Sequence, residues 1–404
     1  MTPGPGSGRS DERRLLVALF GAGTAAFAQL YAPQAVLPDA ARELSTSAST
    51  TALLVSAATL GLAAGVLPWA WVADRVGRVR AMTTALLGAT AVGLAVPLAP
   101  TFALVVPGRA VEGLLVAGVP AVAMAYLAET LPAAAVPRAA GTYVAGTSMG
   151  GLLGRLVAGG VAEVLGWRAG VGAVAAVCLV ATALFVRLAP RDRAPGGRSR
   201  HRAPPGRPPG GGGDGTPGPH RLRVLLSPRL LVLDAQGLLL MGGFVAVYNY
   251  LGFRLTAEPF GLSAGAVSLV FLAYLAGTWS SARTGRLVVR HGRRRVLVAS
   301  AGVMALGVAA TLSAWLPVVL AGLVVLTAGF FGAHAVASGW TPVAAPQART
   351  QAAAVYNLAY YAGSSLFGWL GGVGLALAGW PGTVGMVLVL VAVAAGLASA
   401  VLHD

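Results

Sequence analysis

The chain alternates between long apolar runs and short polar segments, and most of the runs carry no charged residue. A helix needs about 20 apolar residues to cross a bilayer, and the runs are close to that length. The pattern predicts twelve transmembrane helices in two sets of six, namely Leu15–Val36, Thr51–Val72, Ala81–Leu98, Phe102–Leu127, Gly141–Val161, Ala169–Val186, Leu230–Leu251, Ala264–Ser281, Val296–Trp315, Val318–Ser338, Ala352–Val373 and Val384–Leu402.

A segment of different composition separates the two sets. Residues 189–228 are rich in proline, glycine and arginine and show no apolar periodicity, so we expect a solvated linker. Its arginines either set the topology or also contact anionic lipid. The predicted organisation is a cytoplasmic tail (1–14), a six-helix bundle (15–188), this cytoplasmic linker (189–228) and a second six-helix bundle (229–404).

The composition agrees with a membrane protein and excludes a soluble one. Only 10% of the residues are charged and the mean hydropathy is +0.75, whereas about 25% of a soluble domain is charged. A net charge of +16 suggests nucleic acid in a soluble protein. Here 24 of the 29 basic residues lie in the tail and in alternate loops on one side of the predicted helices, and three lie on the other. We therefore expect both termini in the cytoplasm and no nucleic-acid partner.

Two absences from the sequence narrow the chemistry. Every basic residue is an arginine, and without lysine the chain has neither a Walker A phosphate loop nor a Schiff-base nucleophile. The single cysteine, Cys178, excludes an intrachain disulfide and a cysteine-rich metal site. We expect no cofactor and no metal, and a monomer whose partners are a small-molecule substrate, protons and the lipid bilayer.

The two sets of helices also resemble each other in sequence. At an offset of 217 residues Tyr31 matches Tyr248, and a group of small residues matches in the same way: Gly146, Ser148, Gly151 and Gly154 with Gly363, Ser365, Gly368 and Gly371. This colinear set predicts two parallel repeats related by an axis along the membrane normal. Such repeats are typical of transporters whose halves rock about a site between them.

The loop after the second predicted helix carries a motif. Residues 70–80 read AWVADRVGRVR, which resembles the signature G-x-x-x-D-R-x-G-R-x-R of the major facilitator superfamily, with Ala70 at the first glycine. A second copy at 285–295 has Val289 at the aspartate position. The resemblance extends over all twelve predicted helices and implies alternating access. It also implies a conformational latch formed by Asp74, Arg75, Gly77 and Arg78, whereas the alternative is that these charges only fix the topology.

The fourth predicted helix contains two charges, Arg109 and Glu112. The sequence RAVEG is similar to the family's R-x-x-Q-G motif, with Glu112 at the glutamine position. The two residues are three apart and share one helix face. Charges inside a membrane helix are costly and usually face a partner or a wet cavity. We hypothesise that Glu112 carries a coupling proton and that Arg109 tunes it; the alternative is a permanent structural ion pair.

The fifth predicted helix combines small residues with a charge. Gly146, Gly150 and Gly154 are spaced for close helix packing. The stretch resembles the family's antiporter motif, which ends in G-x-x-x-G-P, but Arg155 occupies the proline position. Arg155 either binds an anionic substrate or pairs with a carboxylate such as Glu112. The same residues match the G-x-S-x-G pattern of serine hydrolases, which needs a strand–turn–helix context that the sequence does not predict.

Other polar side chains in the spans are candidates for a central cavity. By resemblance, helices one, four, seven and ten line the cavity of this superfamily, and the polar residues on three of them are Gln29, Tyr31, Gln34, Tyr248, Asn249 and His334. His334 belongs to the residue type that titrates near neutral pH. Each of these side chains has the alternative role of joining helices by hydrogen bonds. Asp234, about one turn inside the seventh helix, is expected to pair with a cytoplasmic arginine.

Together these features predict an all-α, multi-pass protein of the bacterial inner (plasma) membrane that is not an enzyme. The resemblance implies a secondary transporter of the drug or sugar efflux branch, similar to arabinose-efflux permeases. We expect proton-coupled efflux of a small organic solute or drug, with proton-coupled uptake as the alternative. An intramembrane serine hydrolase using Ser148 and His334 is a remote alternative, and a sensor that does not transport is a third.

Overall fold

The computed structural model describes residues 7–132, 134–189 and 224–403, and in these ranges the chain is helical and contains no strand. The prediction of an all-α protein is thus confirmed. We name residues 7–189 the N-terminal half and residues 224–403 the C-terminal half. Most of the predicted linker and the first residues of the predicted tail lie outside the described residues.

The helices of the N-terminal half are α1 (Ser7–Tyr31), α2 (Leu37–Glu43), α3 (Ala48–Thr51), α4 (Leu53–Val76), α5 (Arg78–Ala95), α6 (Phe102–Val116), α7 (Pro120–Thr130) and α8 (Val136–Leu188). Those of the C-terminal half are α9 (Pro228–Thr256), α10 (Ala264–Ser268), α11 (Tyr274–His291), α12 (Arg293–Ala310), α13 (Leu316–Ala344) and α14 (Arg349–Val401). Short 3-10 segments occupy Ala32–Val36, Val96–Leu98 and Leu269–Ala273.

Two of the helices fold back on themselves. Both α8 and α14 contain 53 residues, which as a straight helix would measure about 80 Å, far more than a bilayer's hydrocarbon core. Each is interrupted by non-helical backbone, at Gly166 in α8 and at Ala378 and Gly379 in α14. Across the first break Gly170 packs against the Ala158 carbonyl. Each of these long helices therefore supplies two antiparallel segments.

Within the described ranges, nine helical segments are long and apolar enough to cross a membrane. Two of the nine are the folded helices α8 and α14. Helix α12, which begins with three arginines, is not among the nine. The number of twelve spans stays a prediction.

The packing is that expected of a protein in a lipid bilayer. The helix contacts are lined by small residues, and large apolar side chains such as Leu67, Leu98 and Leu377 are mostly exposed on the outside. Without a hydrophobic drive between helices in lipid, close backbone approach and hydrogen bonds supply the association. Exposed apolar surface of this extent is what a bilayer covers.

The bundle has two ends that differ in charge. We name the end with the loops at 44–47, 99–101 and 257–263 the arginine-poor end, and the end with Gly77, residues 131–135 and Gly292 the arginine-rich end. At the arginine-poor end Arg168 bonds to Glu43 and to the carbonyls of Pro97 and Ala99. These contacts bring three loops of the N-terminal half together.

Candidate functional site

The first element of the site is a break in α1. The helix ends at Tyr31 and continues as the 3-10 segment Ala32–Val36, which contains Pro33. In an unbroken helix the N–H of residue 33 bonds to the carbonyl of Gln29, and proline has no N–H to give. The carbonyl oxygens of Gln29 and Leu30 are thus free to accept bonds from another helix.

Arg109, on α6, provides those bonds and is itself fully buried. Its Nη1 donates to the Gln29 carbonyl at 3.2 Å and its Nη2 to the Leu30 carbonyl at 2.7 Å. Its Nε donates to the Leu54 carbonyl of α4 at 2.9 Å. Nη1 also lies 2.5 Å from Oε2 of Glu112, whose side chain is only 3% exposed. Arg109 therefore joins three helices of the N-terminal half and holds Glu112.

The second carboxylate oxygen of Glu112 lies near an acceptor that has no partner. A Cβ added at Gly93 would lie 2.9 Å from Oε1 of Glu112 and 2.8 Å from Oε1 of Gln29. Oε1 of Gln29 is buried without a hydrogen bond, and Cys178 lines the same region, with its thiol on the carbonyl of Ala25. The missing side chain at Gly93 leaves space beside both oxygens. The structure thus places Gln29 near Glu112, whereas Tyr31 and Gln34 lie at Arg155.

Arg155 forms a second buried cationic site, in a box of aromatic rings. Its guanidinium carbon lies 4.5 Å from the ring centre of Tyr31, 4.9 Å from that of Phe271 and 4.7 Å from that of Tyr274. Stacking of this kind favours a cation. Nη2 also donates to the Tyr274 hydroxyl at 3.2 Å, so side chains of both halves enclose it.

The remaining bonds of Arg155 use neutral oxygens. Nη1 donates to the Gly151 carbonyl at 2.6 Å and Nε to Oε1 of Gln34 at 2.7 Å. Within the described residues no carboxylate lies within ion-pair distance of Arg155, although its exposed fraction is 2%. In this conformation Arg155 does not pair with Glu112, which is paired with Arg109.

Gln34 also connects the two halves. Its Nε2 donates to Oδ1 of Asn249 on α9 at 2.6 Å, and Asn249 in turn donates to the Gly368 carbonyl. Nearby, the hydroxyls of Thr59 and Ser365 are 2.7 Å apart. The sequence places Gln34 and Asn249 on predicted cavity helices, and the structure brings Gln34 to Arg155 and joins Asn249 to Gln34.

Further contacts between the halves continue toward the arginine-poor end. Oε2 of Glu163 accepts a bond of 2.7 Å from the backbone N–H of Gly265, and Pro38 packs against Gly252. Outside these contacts an open pocket of about 630 Å³ includes Arg42 and Glu163 in its lining. The halves are thus closed against each other from Arg155 to this pocket.

The aromatic side chains of the C-terminal half form a connected cluster. Tyr248 bonds to the Thr327 hydroxyl at 2.7 Å and stacks on Phe271, whereas His334 bonds through Nδ1 to the Tyr356 hydroxyl at 2.9 Å. Tyr248 is next to the Arg155 box, and His334 lies in a separate part of the cluster. Tyr274 and Phe271 were not singled out from the sequence, because aromatic residues in an apolar run have no feature that separates a cavity position from a lipid-facing one.

The residues of the predicted latch all contact the N-terminal half. Asp74 pairs with Arg78 at 2.7 Å, and Arg78 also forms two bonds to the carboxylate of Glu129. Arg75 stacks on Trp71. Gly77 has a φ of +97°, a conformation that favours glycine, and it forms the turn between α4 and α5. The side chain of Asp74 is 66% exposed, so in this conformation it is not engaged with the C-terminal half.

The three predicted packing glycines of α8 lie directly against α1. A Cβ at Gly146, Gly150 or Gly154 would come within 2.2–2.5 Å of a backbone oxygen of α1. The serine between them, Ser148, is exposed in the middle of a helix. It has no strand-to-helix turn around it, and the His334 ring nitrogen Nδ1 is bonded to Tyr356. Nothing in this geometry resembles a hydrolase nucleophile.

Long apolar helices with a few buried charges, together with an interface between two helical halves, are typical of a multi-pass membrane transporter. Residues 17–278 match the Major Facilitator Superfamily, and the chain belongs to this family. The family resemblance noted in the sequence and the predicted location in the inner (plasma) membrane, as a multi-pass protein, are confirmed.

Two relatives are similar over most of the chain. The inner membrane transport protein YnfM of Escherichia coli (strain K12) is 37% identical over 363 residues, which are 89% of this chain and 84% of that protein. The MFS-type transporter YybF of Bacillus subtilis (strain 168) is 33% identical over 89% of this chain and 86% of its own.

Solved structures share the fold at low identity. A bacterial homologue of the human lysosomal transporter Spinster, in an inward-facing and unoccupied conformation, is similar with a TM-score of 0.76 at 16% identity over 96% of both chains. The nucleoside transporter NupG is similar with a TM-score of 0.74 at 11% identity, over 96% of this chain and 98% of its own.

Proposed function

We propose that the protein is a proton-coupled secondary transporter that exports a small organic solute or drug in exchange for protons. The observation that carries this proposal is the buried Glu112 site, where one carboxylate oxygen is held by Arg109 and the other lies, like the unpartnered Gln29 oxygen, beside the space at Gly93. We also propose that the chain forms two parallel six-helix bundles with both termini in the cytoplasm. The excess of arginine at one end of the bundle supports this orientation.

The Glu112 site suits both protonation states. The ionised carboxylate is stabilised by Arg109, which supplies a short charge-assisted bond. The protonated carboxyl has an O–H to donate, and Oε1 of Gln29 is an acceptor that otherwise has no hydrogen bond. A permanent ion pair leaves that acceptor unsatisfied in every state. We infer that Glu112 takes up and releases a proton during the cycle.

Arg155 is proposed to bind the negatively charged group of the solute. Three of its five N–H donors are used by neutral oxygens, and it has no counter-ion among the described residues. An uncompensated buried charge is costly, and an anionic ligand between the halves would offset that cost. The surrounding rings of Tyr31 and Tyr274 would pack on an apolar or planar part of the solute.

Alternating access then requires the contacts between the halves to open and close. In this conformation the halves are joined at the arginine-poor end through Gln34–Asn249 and Glu163–Gly265, and at the other end Asp74 is exposed. With the arginine-rich end placed in the cytoplasm, we infer from these contacts a state open to the inside. We propose that the latch at Asp74 forms when the arginine-rich end closes.

Transport assays in liposomes test the proposal. Purified protein is reconstituted, and a broad panel of anionic, neutral and cationic solutes is tested with pH gradients of both signs. Efflux by antiport predicts that one class of solute moves against its gradient in the direction opposite to the protons. Movement in the same direction as the protons would support the alternative, proton-coupled uptake. The absence of any gradient-driven movement would contradict the proposal.

A further inference from the structure

The C-terminal half contains a buried carboxyl group that none of the contacts above uses. Asp234 lies on α9 six residues after Pro228, at the arginine-rich end, and is 9% exposed. Its Oδ1 is buried and has no hydrogen-bond partner. Within the described residues Asp234 forms no ion pair, so the expected pairing with an arginine is not found. A buried carboxylate without donors is far less costly when it is protonated.

A tyrosine packs on the helix face that carries this carboxyl group, and a histidine bonds to the tyrosine. Gly237, one helical turn from Asp234 and on the same face, packs against the Tyr356 ring, which a Cβ at Gly237 would approach to 3.2 Å. The Tyr356 hydroxyl lies 2.9 Å from Nδ1 of His334, and Tyr356 is 2% exposed. The hydroxyl therefore has a nitrogen acceptor at His334, and its ring lies against the helix face of Asp234.

The other charged groups near this end of α9 are engaged elsewhere or exposed. Arg229 bonds to the His403 carbonyl and stacks on Trp340. Arg293 also lies over the Trp340 ring. Arg349, at the start of α14, is exposed. Gln236, a neutral residue of α9, donates a hydrogen bond to the carbonyl of Ala394 in the C-terminal part of α14.

We propose that Asp234, Tyr356 and His334 form a proton relay in the C-terminal half, separate from Glu112. The protonated Asp234 gives its proton to the Tyr356 oxygen while the Tyr356 hydroxyl gives its own proton to Nδ1 of His334. The His334 imidazolium then releases a proton from Nε2, and the three groups return to one ionised carboxylate, one phenol and one neutral imidazole. No hydrogen bond joins Asp234 to Tyr356 in this conformation, so the first transfer needs a rotation of the carboxyl group or a bridging water.

The relay leads from the arginine-rich end toward the interface between the halves. The His334 ring stacks on Phe330, and Phe330 stacks on Phe244. The ring centre of Phe244 is 5.4 Å from that of Tyr274, which belongs to the Arg155 box. Two aromatic rings therefore lie between His334 and the proposed solute site. The role of the relay in transport rests on the proposed function, whereas the binding of a proton by Asp234 does not.

Infrared difference spectroscopy of the purified full-length protein tests the relay without any substrate. Acidification should produce several carboxylic-acid C=O bands, and one of them should be lost in Asp234→Asn and kept in Glu112→Gln. A matched control, Glu258→Gln, removes an exposed carboxyl group in a loop and should leave the band in place. The midpoint pH of the band should shift in Tyr356→Phe and in His334→Gln. The full set of wild-type bands in Asp234→Asn, or a midpoint unmoved in both other variants, would overturn the proposal.

Tyr356→Phe provides the test if Asp234→Asn does not fold, because it removes only a hydroxyl. In liposomes, Asp234→Asn should keep solute exchange at equal pH and lower pH-driven accumulation about tenfold. Wild-type accumulation in a Glu112→Gln protein would contradict the proposed role of Glu112 and leave the relay standing. An Asp234→Asn protein with all the wild-type infrared bands would overturn the relay and leave the proposed role of Glu112 standing.

Discussion

Nε of Arg155 donates a 2.7 Å hydrogen bond to Oε1 of Gln34, and through Gln34 the cation is connected to Asn249 in the other half. A solute anion that drew the guanidinium toward itself would weaken this bond between the halves. On the proposed function, binding of the solute would thereby be linked to opening of the arginine-poor end.

Replacement of Arg155 should change which solutes are transported. Arg155→Gln should lower the transport of anionic solutes at least tenfold and affect neutral solutes less, because it removes the charge. Arg155→Lys keeps the charge but not the planar fork, so its effect should be intermediate. The initial transport rate of each solute in the panel, compared between the wild type and the two variants, measures this change in selectivity. Equal losses for anionic and neutral solutes in Arg155→Gln would indicate that the residue only joins helices.

Gly93→Ala should damage the Glu112 site. The added Cβ would lie within 2.9 Å of oxygens of both Gln29 and Glu112, and overpacking of a well-packed interior costs about 1–3 kcal/mol. We expect a lower Tm and loss of proton-driven accumulation. Gly302→Ala is the matched control, because a Cβ at Gly302 meets nothing within 4 Å. A Gly93→Ala protein that behaves like this control would show that the space beside Glu112 is not needed.

The contact between Thr59 and Ser365 offers a test of the closed end. Their hydroxyl oxygens are 2.7 Å apart across the interface, so cysteines at both positions should form a disulfide under mild oxidation. The cross-link should stop transport, and a reductant should restore it. The two single-cysteine variants serve as controls, since the native Cys178 is buried. Full transport by a fully cross-linked protein is incompatible with alternating access at this interface.

Asp74→Asn should slow transport with little effect on folding. Asp74 is largely exposed and pairs with Arg78 at the surface, and a pair of this kind contributes about 0–1 kcal/mol. Its proposed role arises only when the arginine-rich end closes. We expect a Tm close to that of the wild type and a transport rate reduced several-fold, measured at matched protein levels. An unchanged rate would leave these charges with the role of fixing topology alone.

Much of the site follows from polar residues in otherwise apolar helices. Arg109 and Glu112 share a helix face by their spacing, and the structure pairs them. Which helix each side chain faces does not follow from the sequence. The predicted span Leu15–Val36 continues through the break at Pro33. Gln29, before the break, lies near Glu112, and Gln34, after it, bonds to Arg155. Rotations of this kind depend on packing between helices that are distant in sequence.

The measurement that decides the role of Glu112 compares two rates for wild type and Glu112→Gln in the same liposomes. One is the exchange of a transported solute at equal pH, and the other is its accumulation driven by a pH gradient. We predict that Glu112→Gln retains exchange, because the amide fills the same space and still contacts Arg109, and loses accumulation at least tenfold. A Glu112→Gln protein that accumulates solute at the wild-type rate would contradict proton coupling through Glu112.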